Sequence, residues 1–213
     1  RCFNDMTALD LPSLTWSRIT SAGAAPHPAA SVACASAGPL LAVFGGYTGT
    51  YSNAVHFFDA ERQTWTRARP AGTPPKGRQA SSLTRVANDL ILVGGADDVL
   101  HYNDVHVLSD NGAAWREMPA RCAPAPCALP PGRQGHAAAL VGSKLWIFGG
   151  VGRPSRSGPY SALTALVYLD VRTYTWHDPG LQMQAKDQAL SSRSMVAAVT
   201  LGGRFLLHGG LTT

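Results

Sequence analysis

The sequence is poor in charge: only 15% of its 213 residues are Asp, Glu, Lys or Arg, against roughly 25% in an ordinary soluble domain. It has no run of 18 apolar residues, which a membrane-spanning helix would need, so we expect no membrane insertion. The 18 basic and 13 acidic residues give a net charge of +5. The basic residues are scattered rather than clustered, which argues against nucleic acid and favours an acidic partner.

Motifs that accompany catalysis are also missing. There is no nucleophile elbow, no phosphate-binding glycine loop and no pair of candidate catalytic carboxylates. We therefore predict a protein that is not an enzyme and needs no cofactor. No secretory signal is recognisable either, and we expect a cytoplasmic protein.

What the sequence does contain is a repeat. Four apolar runs each end in two glycines, and the first glycines lie 49, 55 and 60 residues apart. They are Gly45, Gly94, Gly149 and Gly209. An arginine stands sixteen residues before three of these glycines, with Ala29 in the fourth place: Arg78, Arg133 and Arg193. Each unit also carries a tryptophan: Trp16, Trp65, Trp115 and Trp176. Such self-similarity decides the fold.

Each unit is predicted to form four short strands separated by turn residues. In the third full unit they cover 135–141, 144–148, 163–169 and 174–177. A four-stranded sheet that recurs about every 50 residues is typical of a β-propeller blade. The predicted fold class is therefore all-β.

The pattern of apolar run, Gly-Gly, Asn-Asp-Val, Asp and Trp resembles the kelch repeat. Its best copy begins at Pro131-Gly132-Arg133-Gln134-Gly135-His136 and ends at Gly149-Gly150. The resemblance covers essentially the whole chain. It implies a kelch-type β-propeller of five to seven blades, a fold that serves many functions.

One propeller domain is expected over residues 1–213, with complete blades at about 30–69, 79–119 and 134–179 and half blades at 3–20 and 194–210. We expect the chain to be part of a larger propeller. The alternative is that the two halves pair and close a four-bladed ring. An unclosed arc would leave two sheet faces uncovered, which is costly in isolation.

The longer loops all belong to one face of this propeller. They are 47–52, 96–102 and 151–162 after the double glycines, and 120–132 and 180–192 between blades. Long loops on a rigid scaffold usually carry binding. We therefore predict a binding face made of arginines and tyrosines, which suit protein interfaces. The candidates are Arg78, Arg133, Arg193, Arg153, Arg156, Tyr47, Tyr51, Tyr102 and Tyr160.

The resemblance implies that such arginines bind carboxylates of a partner peptide. The alternative for the three repeated arginines is structural: each could bridge blades by bonding loop carbonyls. A second open question concerns Asp97, Asp98 and His101, which either ligate a cation or form an ordinary solvated loop. We favour the solvated loop and predict no metal.

The four cysteines give three predictions. Cys34 lies in an apolar strand and is expected to be a buried thiol. Cys122 and Cys127 share a proline-rich loop in which a disulfide is feasible, but reduced thiols are the expectation without a secretory signal. A zinc site in that loop lacks two further ligands.

The sequence thus predicts a protein-binding scaffold or adaptor, which acts in a longer chain or larger assembly and recognises an acidic peptide or surface. The alternative function is a metal-dependent enzyme with its site in the same propeller face.

Overall fold

A computed structural model describes residues 2–110, 112–152, 159–180 and 193–211. Every regular element in these ranges is a β-strand, and none of the described residues forms a helix long and apolar enough to cross a membrane. The all-β prediction is therefore confirmed.

Three sheets of one design dominate the described residues, and we call them blades 1 to 3. Blade 1 contains β4 (Ala33–Ala37), β5 (Leu40–Phe44), β6 (Val55–Asp59) and β7 (Thr64–Arg67). Blade 2 contains β9 (Ser82–Val86), β10 (Asp89–Val93), β11 (Val105–Ser109) and β12 (Ala114–Met118). Blade 3 contains β15 (Ala137–Val141), β16 (Lys144–Phe148), β19 (Leu166–Asp170) and β20 (Thr175–His177). Within each blade, consecutive strands pair antiparallel.

Two hairpins flank the blades. The first consists of β1 (Met6–Asp10) and β2 (Thr15–Ile19), and the last of β21 (Ala197–Leu201) and β22 (Arg204–His208). In the described residues each hairpin is a separate two-stranded sheet, and β1 does not pair with β22. The number of blades in the ring stays a prediction.

Two-residue strands tie neighbouring units together, and we call them straps. Strap 1 is β3 (Ala22–Gly23), strap 2 is β8 (Ala71–Gly72) and strap 3 is β13 (Arg121–Cys122). Each strap follows the last strand of one unit and pairs parallel with the last strand of the next unit, that is β7, β12 and β20. The backbone of each of these three linkers therefore crosses to the neighbouring unit.

Two of the repeated tryptophans, Trp115 and Trp176, pack between neighbouring blades. The ring of Trp115 meets Phe44 of blade 1 edge-on, with 5.6 Å between ring centroids. Trp176 packs in a cluster with Ile91 of blade 2. Both indoles are almost fully buried, and aromatic side chains of this size contribute strongly to such an interface. Trp16 differs, because no described sheet covers it and 67% of its surface is exposed.

The prediction for Cys34 is wrong, since its side chain is exposed. Side chains alternate along β4, so the buried Ala33 and Ala37 point towards blade 2 while Cys34 points the other way. On that side the first hairpin packs on Phe58 and Trp65 in the outer strands. It leaves the innermost strand open.

A small sheet completes the long-loop face beside blade 3. It contains β14 (Arg133–Gln134), β17 (Val151–Gly152) and β18 (Ser161–Ala162). In blades 1 and 2, single bridges pair Ala30 with Tyr47 and Gln79 with Ala96 at the corresponding places. The segment entering each blade is thereby fixed against the loop that follows the double glycine.

Candidate binding face of the propeller

The described residues of the loops that follow the first three double glycines contact one another, and we call the surface made by Tyr47, Tyr51, Asp98, His101 and Tyr160 the rim. The hydroxyl of Tyr51 donates a hydrogen bond to Asp98 of the next loop over 2.6 Å, and the rings of His101 and Tyr160 lie 4.7 Å apart across the following gap. Tyr47 stacks at a tilt on Tyr51, with 5.1 Å between centroids. Tyr47 and Tyr160 remain 39% and 47% exposed. Contacts between loops therefore make the rim a defined surface.

Tyr51 of the rim and Tyr102 beneath it each donate a hydrogen bond to a carboxylate, and the pKa of each is raised. The bond to Asp98, with desolvation second, raises the pKa of Tyr51 to about 12. Burial, and then the bond to Asp97, raises the pKa of Tyr102 to about 12. Both phenols are therefore neutral donors at physiological pH.

Asp97 serves the local structure of its loop. Its carboxylate accepts hydrogen bonds from the backbone N–H groups of Val99 and Leu100 and from the hydroxyl of Tyr102. Burial pushes the pKa of Asp97 upwards, but these bonds outweigh burial and lower it. The described residues contain no group of three His, Cys, Asp or Glu side chains arranged to hold a metal ion.

Arg78 is enclosed at the junction of blades 1 and 2, with 1% of its surface exposed. Its guanidinium binds both oxygens of Asp104, over 2.6 and 2.9 Å, and donates to the carbonyl of Gly94 over 3.0 Å. It also lies over the ring of Tyr102, 3.9 Å from the centroid. His106 contacts the same carboxylate over 2.9 Å. Every side of this cation is occupied within the chain.

The acid in this cluster is held ionised. Burial alone would raise the pKa of Asp104, but the hydrogen bonds from His106 and Arg78 outweigh burial and lower it to about 2. The carbonyl of Arg78 accepts the N–H of Gly46 in blade 1. The main chain of Arg78 therefore contacts blade 1, whereas its guanidinium bonds to Gly94 and Asp104 of blade 2.

Arg133 takes the same place at the junction of blades 2 and 3, but it has no acid. It donates from Nη1 to the carbonyl of Gly149 over 3.1 Å and from Nε to that of Pro131 over 3.3 Å. Ala165 holds the position of Asp104, since the backbone carbonyl of each accepts the N–H of the first glycine of its blade. Nη2 of Arg133 is buried and has no hydrogen-bond partner.

Among the described residues Arg133 is therefore a buried cation without a counter-charge. Arg133 is only 2% exposed, and desolvation lowers its pKa to about 10. At neutral pH it remains charged. A buried charge without a counter-charge is unfavourable in a protein interior.

The remaining candidate residues are Arg193, Tyr102, Arg153 and Arg156. Arg193 is half-buried and donates to the carbonyl of Gly209 over 3.2 Å, the bond that the other two arginines also make. Tyr102 is 9% exposed and lies beneath the rim. Arg153 and Arg156 fall outside the described residues.

Sequence reasoning missed the pairing of Asp104 with Arg78 and the hydrogen bond by which Asp98 connects two loops. Asp104 follows the repeated Asn103, as Asp5 follows Asn4 in the first half blade, but of the three complete blades only blade 2 has an acid in this place. A comparison of each repeated arginine with the residue that follows the asparagine of the same unit would have found the Arg78–Asp104 pair.

The loop between blades 2 and 3 corrects one further prediction: Cys122 and Cys127 form a disulfide. The loop folds back on itself, which brings their Cα atoms within 6.0 Å, so the expectation of reduced thiols is wrong. Next to it lies a groove of about 480 Å³. Its walls include Pro131, Ala165 and Trp176.

Comparison with known proteins agrees with this architecture. Residues 1–150 match the family model described as the KLHDC2/KLHL20/DRC7 Kelch-repeats domain. Acyl-CoA-binding domain-containing protein 4 of Arabidopsis thaliana is 31% identical, over 99% of this chain and 31% of the relative. Kelch domain-containing protein 3 of Mus musculus is 25% identical, over 97% of this chain and 54% of the relative.

Rab9 effector protein with kelch motifs, also of Mus musculus, is 29% identical over 92% of this chain and 51% of the relative. The chain thus spans about a third of the length of the plant relative and about half of the length of the two mouse relatives.

Proposed function

Since the chain belongs to the kelch-repeat family, whose propellers are generally protein-interaction modules, we propose that its long-loop face binds an acidic segment of a partner protein. It would act as a scaffold or adaptor within a longer cytoplasmic chain or assembly. The kelch fold and the rim are compatible with many partners. The positive charge of the arginines narrows the choice to partners with an acidic segment.

The observation that carries this proposal is the missing acid at Arg133. Arg78 and Arg133 make the same bond to a glycine carbonyl of their own blade, so their guanidinium groups have the same orientation. In blade 2 the remaining edge of the guanidinium binds Asp104, whereas the corresponding residue of blade 3 is Ala165, which carries no acid. A carboxylate from a partner would complete the pair that blade 2 completes internally.

The surroundings of Arg133 give that carboxylate a route. Pro131, which accepts the Nε–H of Arg133, and Ala165, which stands in place of the acid, both line the open groove. The guanidinium therefore lies directly behind the groove wall. Displacement of these two residues would open Nη2 to a ligand.

The rim also has an acidic side, which limits where an acidic segment can lie. Asp97 and Asp98 belong to the loop of blade 2, and Asp98 reaches Tyr51 towards blade 1. Like charges disfavour each other at short range. We therefore place the acidic segment towards blade 3, where it would contact Tyr160 and approach Arg133 and Arg193.

A peptide display experiment tests this proposal. A random peptide library is selected on the immobilised protein, and we expect Asp and Glu to be enriched in the retained peptides. Ala165→Asp supplies an internal acid to Arg133 and should abolish the enrichment. The matched control is Ala54→Asp, the same substitution at the corresponding position of blade 1, where Ala29 stands in place of the arginine.

The outcome decides directly between the alternatives. Enrichment of acidic residues that Ala165→Asp removes and Ala54→Asp leaves intact supports the proposal. If wild-type protein retains no acidic peptides, or if Ala165→Asp retains them unchanged, Arg133 is not the recognition site.

A further inference from the structure

Strap 3 differs chemically from the other two straps. In straps 1 and 2 the second residue is glycine, Gly23 or Gly72, with φ of +85° and +79°. A Cβ there would approach a tryptophan carbonyl oxygen to 2.2 and 2.3 Å. Strap 3 has Cys122 at this position and closes a disulfide with Cys127 five residues later.

The backbone bond of the strap survives this replacement. Ala123 donates its N–H to the carbonyl of Trp176 over 2.9 Å, just as Ala24 donates to the carbonyl of Trp65 over 3.0 Å in strap 1. Strap 1 makes this contact without a covalent bond. The fold therefore does not need the disulfide to hold a strap in place.

One of the two cysteines of the disulfide is accessible to a reductant. Cys127 is exposed and Cys122 is half-buried. In thiol–disulfide exchange the accessible sulfur is the one attacked. A disulfide in a cytoplasmic protein, the location proposed above, is usually transient or redox-sensing rather than structural.

The loop that the disulfide closes continues into the binding face. Three residues after Cys127, the carbonyl of Pro130 accepts the side-chain N–H of Asn103 over 2.9 Å. The carbonyl of Pro131 then accepts the Nε–H of Arg133. The shape of this loop therefore positions the cation on which the proposed function depends.

We propose that the Cys122–Cys127 disulfide is a reversible redox modification site that takes a dithiol reductant, and that its state controls how the loop presents Arg133. The second half of this proposal rests on the proposed function. The first half stands on the exposure of Cys127 and on the contrast between the straps.

The chemistry balances as a two-electron exchange. A thiolate of the dithiol attacks Sγ of Cys127, forms a mixed disulfide there and releases Sγ of Cys122 as a thiolate, which takes up a proton. The second thiolate of the reductant then attacks the mixed disulfide. Cys127 leaves as a thiolate and is protonated, and the dithiol ends as a cyclic disulfide.

The first experiment follows the redox reaction itself in a Cys2→Ser/Cys34→Ser background, which removes both free thiols. We expect dithiothreitol to reduce the folded protein, and glutathione disulfide to restore the bond. Glutathione alone should form its mixed disulfide on Cys127, located by peptide mass mapping. Resistance of the folded protein to reduction, or an adduct on Cys122, would overturn the proposed site.

Amide hydrogen exchange then reports on the strap. Reduction should speed exchange of the Ala123 N–H roughly tenfold, since the loop is no longer tethered. The N–H of Ala24 makes the same bond in strap 1 and should keep its rate. A Cys122→Ser/Cys127→Ser variant should behave as the reduced protein does. Equal rates at Ala123 in both redox states contradict a control function.

Binding of an acidic peptide from the display selection is the last readout. We expect affinity to change by about fivefold or more between oxidised and reduced protein, and the change should be absent in the serine variant. An affinity that is independent of redox state rejects the control function. If no acidic peptide binds in either state, the proposed function fails, while reduction and exchange still decide the redox site.

Discussion

The junction of blades 1 and 2 and the junction of blades 2 and 3 hold an arginine in the same way but neutralise it differently. Both guanidinium groups donate to a glycine carbonyl of their own blade. Arg78 also binds Asp104 through two hydrogen bonds, whereas blade 3 has Ala165 in place of the acid, and Nη2 of Arg133 has no hydrogen-bond partner among the described residues. The hydrogen bond from the arginine to the glycine carbonyl therefore occurs at both junctions, whereas the structure describes a counter-charge only at the first.

Blade 1 shows that the repeat tolerates the loss of the whole pair. Ala29 and Ala54 replace the arginine and the acid there, and the glycine still donates its N–H to the carbonyl of Ala54 over 3.1 Å. The three units thus have both charges, neither charge, or the cation alone. In the last state, that of blade 3, the cation lacks a counter-charge among the described residues. A carboxylate of a ligand would supply that counter-charge.

The largest effect on stability is expected when blade 2 loses its acid and so resembles blade 3. Asp104→Ala should lower the free energy of unfolding by about 3–5 kcal/mol, because it leaves a buried guanidinium without its carboxylate. Chemical denaturation measures the change.

A double-mutant cycle with Arg78→Met identifies its cause. Met keeps most of the side-chain volume and removes the charge, so Asp104→Ala should cost less than about 1 kcal/mol in that background. A cost of the same size in both backgrounds would mean that Asp104 stabilises the fold through packing rather than through the arginine.

Acid should weaken the same junction in the wild-type protein. The pKa of Asp104 is lowered to about 2 from an ordinary value of 3.8, so its contribution is fully present above pH 3.8 and is lost as the pH falls towards 2. The shift corresponds to roughly 2 kcal/mol. Denaturation curves between pH 5 and 2 should show this loss, and it should be smaller in Asp104→Ala.

The outline of the fold was accessible from sequence because it depends on features that every unit shares. The double glycines and the tryptophans recur from unit to unit, and both serve contacts between neighbouring backbones and blades. Among the three complete blades only blade 2 has an acid in the place of Asp104, so the repeat alone does not reveal its pairing with Arg78. The exposure of Cys34 depends on which strands cover β4, and the Cys122–Cys127 bond depends on the path of a single loop.

A gain of stability is expected when blade 3 is brought into the state of blade 2. Ala165→Asp places a carboxylate opposite the unpartnered nitrogen of Arg133, and charge-assisted hydrogen bonds of this kind are worth about 1–2 kcal/mol. The unfolding midpoint should therefore rise. Ala54→Asp adds the same group opposite Ala29, where no arginine can pair with it, and should not raise the midpoint. A rise in both variants would assign the gain to something other than Arg133.

The smallest effect is expected where the same residue types pair in solvent. Arg62 lies 2.7 Å from Asp59, nearly the distance between Arg78 and Asp104, but its side chain is 77% exposed against 1% for Arg78. Water and salt screen such a pair, and Asp59 keeps backbone N–H donors of its own turn. Arg62→Ala should therefore leave the thermal midpoint unchanged within error at physiological salt. A clear drop would show that the pairing of the two residues, and not the burial of Arg78, sets the difference between the two sites.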